Sequence, residues 1–310
     1  MRFGFACAVA GIDVRAHDTR RWQNNPHLCV SLGNVEQIMR YAAGLGLRMY
    51  RLSSNIAPYY TDPNRPQFGR QLEEARTRLA EIGALADELD IRLSMHPGQY
   101  TVLNSRNDAT YNAAVRELCY ATEALDLIGR PPRDKVVVHI GGAYGDKQPA
   151  LDRFIERYRL LPENVRARLV IENDDTIFNA GDALYVSRHT GVPVVFDNLH
   201  HRVNPTTLPD GTLLGEREAL EACLATWPAG QTPKIHYSDE RGESEPPRGK
   251  SKGALPRRAP RGAHADYVDP EAFAAFLDRA VGLEFDVMFE AKAKELAAAR
   301  VMAYLRERAA

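Results

Sequence analysis

The sequence has few cysteines and no long apolar run. Its four cysteines, Cys7, Cys29, Cys119 and Cys223, are widely separated and form no CxxC motif. This spacing excludes a disulfide scaffold, disfavours a thiolate metal site and is typical of reduced thiols. No stretch approaches the roughly 18 apolar residues of a membrane span, and the apolar run at 3–11 is too short for a signal peptide. We therefore expect a cytoplasmic protein with no membrane partner.

Neither sign of charge dominates the composition. Forty basic residues stand against 41 acidic ones, a net charge of -1, so the whole molecule presents no strong field to a polyanion. A nucleic-acid partner would have to bind a local patch. Hydrophobic residues make up 44% of the 310, which allows a sizeable core and excludes a disordered or collagen-like chain. The nucleophile motif GxSxG, the phosphate-binding GxxxxGK[ST] and a GxGxxG after a strand are all missing.

Short aliphatic runs alternate with longer segments of helical period. The predicted strands are 2–9, 47–53, 91–96, 134–140, 168–173, 193–198, 233–237 and 284–290, and the predicted helices are 34–45, 70–89, 107–128, 149–159, 179–189, 216–225, 270–280 and 292–308. Asn34 and Asn179 are candidate helix N-caps, and Gly191 is a candidate C-cap. Eight βα units favour an α/β fold with a TIM (β/α)₈ barrel as a single domain over 1–310, and a doubly wound open sheet is the alternative.

Two irregular segments interrupt this alternation, near 10–33 and 238–262. The second contains, within 239–262, seven Arg or Lys against four Asp or Glu. A loop of this composition at the mouth of a barrel is a candidate contact for DNA phosphates. The alternative interpretation is a solvated loop without a partner.

Ligand-type side chains stand where the predicted strands end. They are His96, His139, Glu172, Asp197, His236 and Glu290. In a barrel the carboxyl ends of the strands meet at one face, so these six groups should converge. Taken alone, each is more often a hydrogen-bonded rim residue. Together they would be costly to bury without metal, and their types suit zinc, manganese or iron.

Further candidates flank these strand ends. His200 and His201 both closely follow Asp197, and spacing alone does not choose between them. His264 follows the basic segment, and Lys234 shares a strand face with His236. A lysine beside metal ligands needs a neutral form or an anionic partner, whereas the simpler alternative is a lysine that snorkels to solvent.

Seven segments together resemble the UV damage endonuclease family. They are LSMHPGQY (93–100), HIGGAYGDK (139–147), IENDD (171–175), FDNLHHRVNP (196–205), PKIH (233–236), GAH (262–264) and FEAKAKE (289–295). The resemblance implies a TIM barrel similar to the endonuclease IV group. It also implies cleavage of the DNA backbone immediately 5′ to a lesion, which leaves 3′-hydroxyl and 5′-phosphate ends.

The resemblance assigns metal ligation and catalysis residue by residue. The implied ligands are His96, His139, Glu172, Asp197, His200, Lys234, His236, His264 and Glu290, with Lys234, Glu172 and His236 as catalytic residues. Asp62 stands where the family often has a histidine and is included as a ligand. The implied cofactors are two or three divalent ions, with manganese favoured over zinc or cobalt, and Lys234 is expected to be carboxylated.

The resemblance also implies the lesion contacts. Gln99 and Tyr100 match the pair that enters the duplex, and Tyr144 is placed with them; the alternative for the pair is an ordinary loop. Phe5 and Val9 replace a tyrosine and an asparagine common in the family, which removes polar lesion contacts at these two positions. The expected partner is double-stranded DNA carrying UV lesions, bound by a monomer without an obligate protein partner.

Two other functions fit the same residues. A xylose isomerase-like barrel also gathers His, Asp and Glu on a divalent metal but acts on sugars. A damage-binding barrel without catalysis would keep the fold and lose the incision. Paired Glu172 and Glu290 could serve a glycosidase, but the surrounding histidines would then be unexplained.

Overall fold

Eight short parallel strands form one sheet in the computed structural model, which describes residues 1–242 and 259–309. The strands are β1 Phe3–Ala6, β2 Met49–Leu52, β3 Arg92–Met95, β4 Val136–His139, β5 Leu169–Glu172, β6 Val194–Val195, β7 Lys234–Tyr237 and β8 Asp286–Phe289. Each is shorter than its prediction, because only part of each run pairs with a neighbouring strand. All eight predicted strands are present.

The strands lie side by side in the order β6-β5-β4-β3-β2-β1-β8-β7. A single parallel bridge between Asp197 and His236 joins the two ends of this sheet. The His236 N–H donates to the Phe196 carbonyl at 2.9 Å across the same seam. The sheet therefore closes into the predicted TIM barrel, and the doubly wound alternative is wrong.

Helices surround the barrel. They are α1 Leu28–Gly44, α2 Gln71–Glu74, α3 Arg76–Glu88, α4 Asp108–Leu127, α5 Lys147–Arg159, α6 Glu163–Arg168, α7 Ala180–Thr190, α8 Asn198–Val203, α9 Glu216–Leu224, α10 Pro270–Arg279 and α11 Glu295–Ala309. The main core packs between these helices and the outer face of the sheet. Val137, Val170 and Val195 form a separate buried cluster, as alternation along a strand requires for the opposite, inner face. Within the described residues no helix has the length and apolar content needed to cross a membrane.

The segment near 10–33 is less irregular than predicted. Helix α1 begins at Leu28, so Asn34 lies inside the helix and is not its N-cap. His27 takes that role, because its ring nitrogen Nδ1 accepts a hydrogen bond from the Cys29 N–H. The burial of Leu28 and Leu32 extends the apolar face of the helix into the segment.

The remaining helix predictions are mostly confirmed. Asn179 caps α7 in a reciprocal capping box with Asp182, and Gly191 ends that helix with a left-handed φ of 75°. The predicted helix 70–89 is divided into α2 and α3, and the short helices α6 and α8 were not predicted. Helix α8 follows β6 directly because Asp197 caps it by accepting from the His200 N–H at 2.8 Å.

The two ends of the basic segment are close together. Glu240 and His264 form an antiparallel bridge, and the Arg241 N–H donates to the Ala263 carbonyl at 2.7 Å. Residues 243–258 lie outside the described residues, and the predicted DNA contact of this segment falls mainly on them. The pairing of its ends returns His264 to the mouth of the barrel.

Candidate metal centre

The predicted ligands lie at one edge of the sheet. His139 and Glu172 are the last residues of β4 and β5 and are direct partners in the strand register. His96 follows β3, Glu290 follows β8, and Asp197 pairs with His236 of β7 at the seam. Parallel strands bring these positions together, as predicted from their place in the sequence.

Glu172 lies at the centre of four histidines. Its Oε1 is 2.8 Å from His236 Nδ1 and 3.6 Å from His200 Nδ1. Its Oε2 is 3.1 Å from His96 Nε2 and 3.8 Å from His139 Nε2. Burial alone would raise the pKa of the Glu172 carboxyl, but His236 and His139 hold it well below its ordinary value. The carboxylate is therefore charged although it is only 1% exposed.

Asp197 and His200 form the second part of the cluster. The Asp197 Oδ1 is 3.8 Å from His200 Nδ1, whereas its buried Oδ2 has no hydrogen-bond partner among the described residues. Burial raises the pKa of Asp197. Burial would lower the pKa of His200, but the Asp197 and Glu172 carboxylates outweigh it and raise that pKa to about 9.

Glu290 joins the cluster from the opposite side. Its Oε1 is 3.3 Å from His236 Nδ1, and its Oε2 is 3.8 Å from His264 Nε2. Glu290 also forms an ion pair with Arg51, which lies on the inner face of β2. Although burial opposes it, Arg51 lowers the pKa of the Glu290 carboxyl. Sequence reasoning missed Arg51, although a charged residue in an otherwise apolar strand was a usable signal.

Lys234 is completely buried, so it does not snorkel to solvent. Its Nζ has no hydrogen-bond partner within the described part of the chain. Burial, aided by the guanidinium groups of Arg92 and Arg51, lowers the pKa of Lys234 to about 7. The structure thus places an amine that is easily neutralised on the strand that carries His236.

The ligand-type atoms form three adjacent groups, in each of which all atoms lie within 4.8 Å of one another. The groups are His96, His139 and Glu172; Glu172, Asp197 and His200; and Asp197, His236 and Glu290. The first and second groups share Glu172, and the second and third share Asp197. Each shared carboxylate has two oxygens, so it can contribute one oxygen to each group. This donor set of histidine nitrogens and carboxylate oxygens fits divalent ions such as manganese or zinc. The buried Asp197 Oδ2, which has no hydrogen-bond partner over residues 1–242 and 259–309, fits the same interpretation.

Besides Lys234 and His264, two further sequence candidates belong to none of these groups. The His201 Nε2 is 3.1 Å from the Leu214 carbonyl, so His200 is the histidine that joins the cluster. The Asp62 carboxylate pairs with Arg65 and accepts from the Asn64 N–H at 2.9 Å, and it belongs to none of the three groups. Metal ligation by Asp62 stays a prediction.

The residues assigned to lesion contact are exposed. Gln99 and Tyr100 lie in a tight turn after β3, and Tyr100 is 83% exposed. Tyr144, in the loop after β4, is 38% exposed. Phe5, in contrast, is fully buried, with its ring centroid 5.3 Å from that of Tyr50 in the main core. The exposed tyrosines follow neighbouring strands, and those strands lead into His96 and His139.

Residues 14–309 match the family described as UV-endonuclease UvdE. The chain belongs to this family. It is 34% identical over 275 residues to a UV DNA damage endonuclease of Bacillus velezensis, covering 88% of this chain and 79% of that protein. These matches confirm the resemblance seen in the seven sequence segments, and the function they support is that of a UV damage endonuclease, whose substrate is DNA.

Solved structures agree with the family assignment. The crystal structure of SacUVDE is 31% identical, with a TM-score of 0.81 and coverage of 100% of this chain and 99% of that one. Endonuclease IV from Thermus thermophilus is 17% identical, with a TM-score of 0.61 and coverage of 99% and 100%. The second likeness shows the shared barrel alone. The family assignment favours the endonuclease over the sugar isomerase.

Proposed function

We propose that this UvdE family member hydrolyses the phosphodiester bond immediately 5′ to UV photoproducts in double-stranded DNA, with two or three divalent ions. The observation that carries the proposal is the position of Glu172, buried among four histidines at the mouth of the barrel. The exposed Tyr100 follows one of these histidines by only four residues. The candidate metal centre and Tyr100, a residue suited to insertion between bases, therefore lie on the same face of the barrel.

The residues that would hold the ions are those of the three groups, together with His264 and Lys234. Manganese is favoured, and zinc or cobalt would also suit the nitrogen and oxygen donors. When bound, such ions lower the pKa of water and stabilise developing charge on the phosphate oxygens.

The histidine rings are oriented by partners behind them. His96 Nδ1 lies 3.1 Å from the Pro97 carbonyl, and His264 Nδ1 lies 2.9 Å from the Ser238 Oγ. In both rings the other nitrogen, Nε2, faces a cluster carboxylate. Such contacts fix the tautomer and hold the ring in place. Burial lowers the pKa of His96 to about 4, which keeps its ring neutral and able to donate an electron pair.

Lys234 is proposed to be carboxylated. The neutral amine would form an N–C bond with carbon dioxide and release one proton, which converts Nζ into a carbamate anion. The buried Nζ has no hydrogen-bond partner within the described part of the chain, and its lowered pKa makes the neutral, nucleophilic amine accessible, which supports this step. NMR of protein equilibrated with isotopically labelled bicarbonate tests it, since Lys234→Met should lack the carbamate signal.

Lesion recognition is assigned to Gln99 and Tyr100, and Tyr144 is assigned to DNA contact beside them. Unstacking a damaged base costs a few kcal/mol less free energy than unstacking an intact one. An aromatic ring inserted into the duplex can then occupy the space that the damaged base leaves. Action as a cytoplasmic monomer without an obligate protein partner remains part of the proposal.

The test is incision of an irradiated duplex labelled at both ends, with added manganese. We expect nicks immediately 5′ to the photoproduct, with 3′ ends that a polymerase extends. Glu172→Gln should abolish incision, whereas Glu221→Gln, an exposed glutamate on α9, should not change it. Lesion binding without nicking by the wild type would support a binding protein instead, and undiminished nicking by Glu172→Gln would contradict the proposed centre.

A further inference from the structure

Hydrogen bonds join the loop after β3 to the loop after β4 at the mouth of the barrel. The buried side chain of Asn104, in the loop after β3, donates from Nδ2 to the Gly142 carbonyl at 3.0 Å. Its Oδ1 accepts from the Gly142 N–H at 3.2 Å. Gly141 has a φ of 116°, and a Cβ there would lie 2.3 Å from Asn104 Oδ1, so only glycine permits this approach. The loops after β3 and β4 therefore hold a fixed relation to each other.

The Tyr144 ring, in the second of these loops, contacts two arginines. The guanidinium carbon of Arg106 lies 5.5 Å from the Tyr144 ring centroid, and that of Arg153 lies 5.4 Å from it. Tyr144 itself has a left-handed φ of 54°. We call Arg106, Tyr144 and Arg153 the arginine platform.

The positive charge of the platform is not neutralised. Within residues 1–242 and 259–309, neither Arg106 nor Arg153 forms an ion pair with a carboxylate. Arg153 is anchored instead to backbone, because its Nε donates to the Asn104 carbonyl at 2.6 Å. Its Nη2 is buried without a hydrogen-bond partner in the same ranges. Arg106 is exposed, and its guanidinium lies against the face of Tyr144.

We propose that the arginine platform binds a phosphate of the DNA backbone and positions the duplex for the Gln99 and Tyr100 turn. The inference deepens the proposed function and rests on DNA being the substrate. A planar guanidinium matches phosphate oxygens in a bidentate manner, and the Tyr144 ring restricts the side chain to the bound orientation. Stacked guanidinium groups that lack an acidic partner in the described chain are suited to a phosphate anion.

The position of the platform also favours the backbone over a base. Arg106 comes six residues after Tyr100 in the same loop, and Tyr144 comes five residues after His139. Because both residues belong to one loop, we expect a duplex entered by Tyr100 to bring a backbone phosphate within reach of Arg106. Phosphate contacts position a protein on DNA without reading its sequence, so the platform should act on damaged and undamaged duplexes alike.

The test measures binding of irradiated and unirradiated duplexes by fluorescence anisotropy across a sodium chloride series. Arg106→Gln should weaken binding to both about tenfold at low salt, and should reduce the slope of log K against log salt concentration by about 1. Tyr144→Asn, which suits the left-handed backbone, should weaken both duplexes in the same way. Tyr144→Phe, which keeps the ring, should rescue that loss. Arg188→Gln, an exposed arginine near the end of α7, is the matched control.

Three results would distinguish a failure of the arginine platform from a failure of the proposed function. An unchanged salt slope in Arg106→Gln, with normal wild-type incision, would overturn the platform and leave the proposed function standing. A loss confined to the irradiated duplex would also overturn it, because a lesion contact and not a backbone phosphate would then be at Arg106. A reduced slope in Arg106→Gln, with no incision by the wild type, would support the platform and overturn the proposed function.

Discussion

Asp197 and His236 form the backbone bridge that closes the barrel, and their side chains belong to the same group of candidate ligands. The sixth strand is only two residues long, so this bridge is the pairing that joins β6 to β7 among the described residues. The seam of the fold and the candidate metal centre are therefore the same place. Metal binding at the candidate metal centre should therefore raise the free energy of unfolding of the whole barrel.

Removal of metal should lower the thermal midpoint of unfolding. In the metal-free protein the buried carboxylates of Glu172 and Glu290 lose the ions that offset their charge, and the Asp197 Oδ2 stays without a partner in the described chain. Manganese at a hundredfold excess over its dissociation constant should add about 2.7 kcal/mol, or about 4 °C for a chain of this size. Scanning calorimetry of chelated and reloaded protein measures the change. Asp197→Asn should show a smaller shift, and an equal shift in that variant would contradict the assignment.

Arg51→Met should destabilise the metal-free protein. The substitution leaves the Glu290 carboxylate buried at 14% exposure without its cationic partner, which costs about 3 kcal/mol. Added manganese should then stabilise this variant more than the wild type, because the ion replaces the missing positive charge. Chemical denaturation with and without manganese measures both effects, and Arg51→Lys serves as the control that keeps the charge. A variant as stable as the wild type without metal would refute the role given to Arg51.

The sequence was sufficient to predict which side chains gather at the candidate metal centre, because each stands at a strand end, where its chemistry and its direction follow from a local pattern. His96, His139 and Glu172 were found in this way. Arg51 was not, because its partner Glu290 is 239 residues away and only the closed barrel brings the two together. The hydrogen bonds between Asn104 and Gly142 could not be predicted from the sequence for the same reason, since they join loops after two different strands.

Local patterns were misleading where a side chain took an uncommon role. The prediction places the start of α1 at Asn34, because asparagine is a frequent N-cap and the segment 10–33 is interpreted as irregular, although Leu28, Val30 and Leu32 just before Asn34 are apolar. The structure uses His27, whose ring nitrogen can accept a hydrogen bond but is a rarer cap. Choosing His200 over His201 likewise needed the structure or the resemblance, since both stand beside Asp197 in the sequence.

Tyr100→Ala should change lesion discrimination and leave stability intact. The side chain is 83% exposed, so its loss should change the free energy of unfolding by less than about 0.5 kcal/mol. Loss of stacking should lower kcat/KM on irradiated duplex about tenfold, within the range of one base–aromatic contact. Incision kinetics on irradiated duplex and thermal unfolding measure the two quantities. Leu160→Ala, a change at an exposed residue at the end of α5, should alter neither. Undiminished incision by Tyr100→Ala would remove this residue from the lesion contact.

Asp18→Asn should destabilise the protein at neutral pH and have less effect in acid, because the Asp18 carboxylate holds the segment before α1 in place. The Arg20 side chain and the His27 N–H donate to the Asp18 carboxylate, and these contacts lower its pKa from 3.8 to about 2. Because the folded protein holds this proton less tightly than the unfolded chain, the carboxylate stabilises the fold above about pH 4. This contribution is lost as the pH falls towards about 2. We expect Asp18→Asn to lower the free energy of unfolding at pH 7 by about 2 kcal/mol.

The difference between Asp18→Asn and wild type should therefore shrink between about pH 4 and about pH 2, as urea denaturation at a series of pH values would show. Asp13→Asn is the matched control, since Asp13 is exposed in the same segment. It should leave the pH dependence unchanged. A difference that stays constant over this whole range would mean that hydrogen-bond geometry, and not the charge of Asp18, holds this segment against Arg20 and His27.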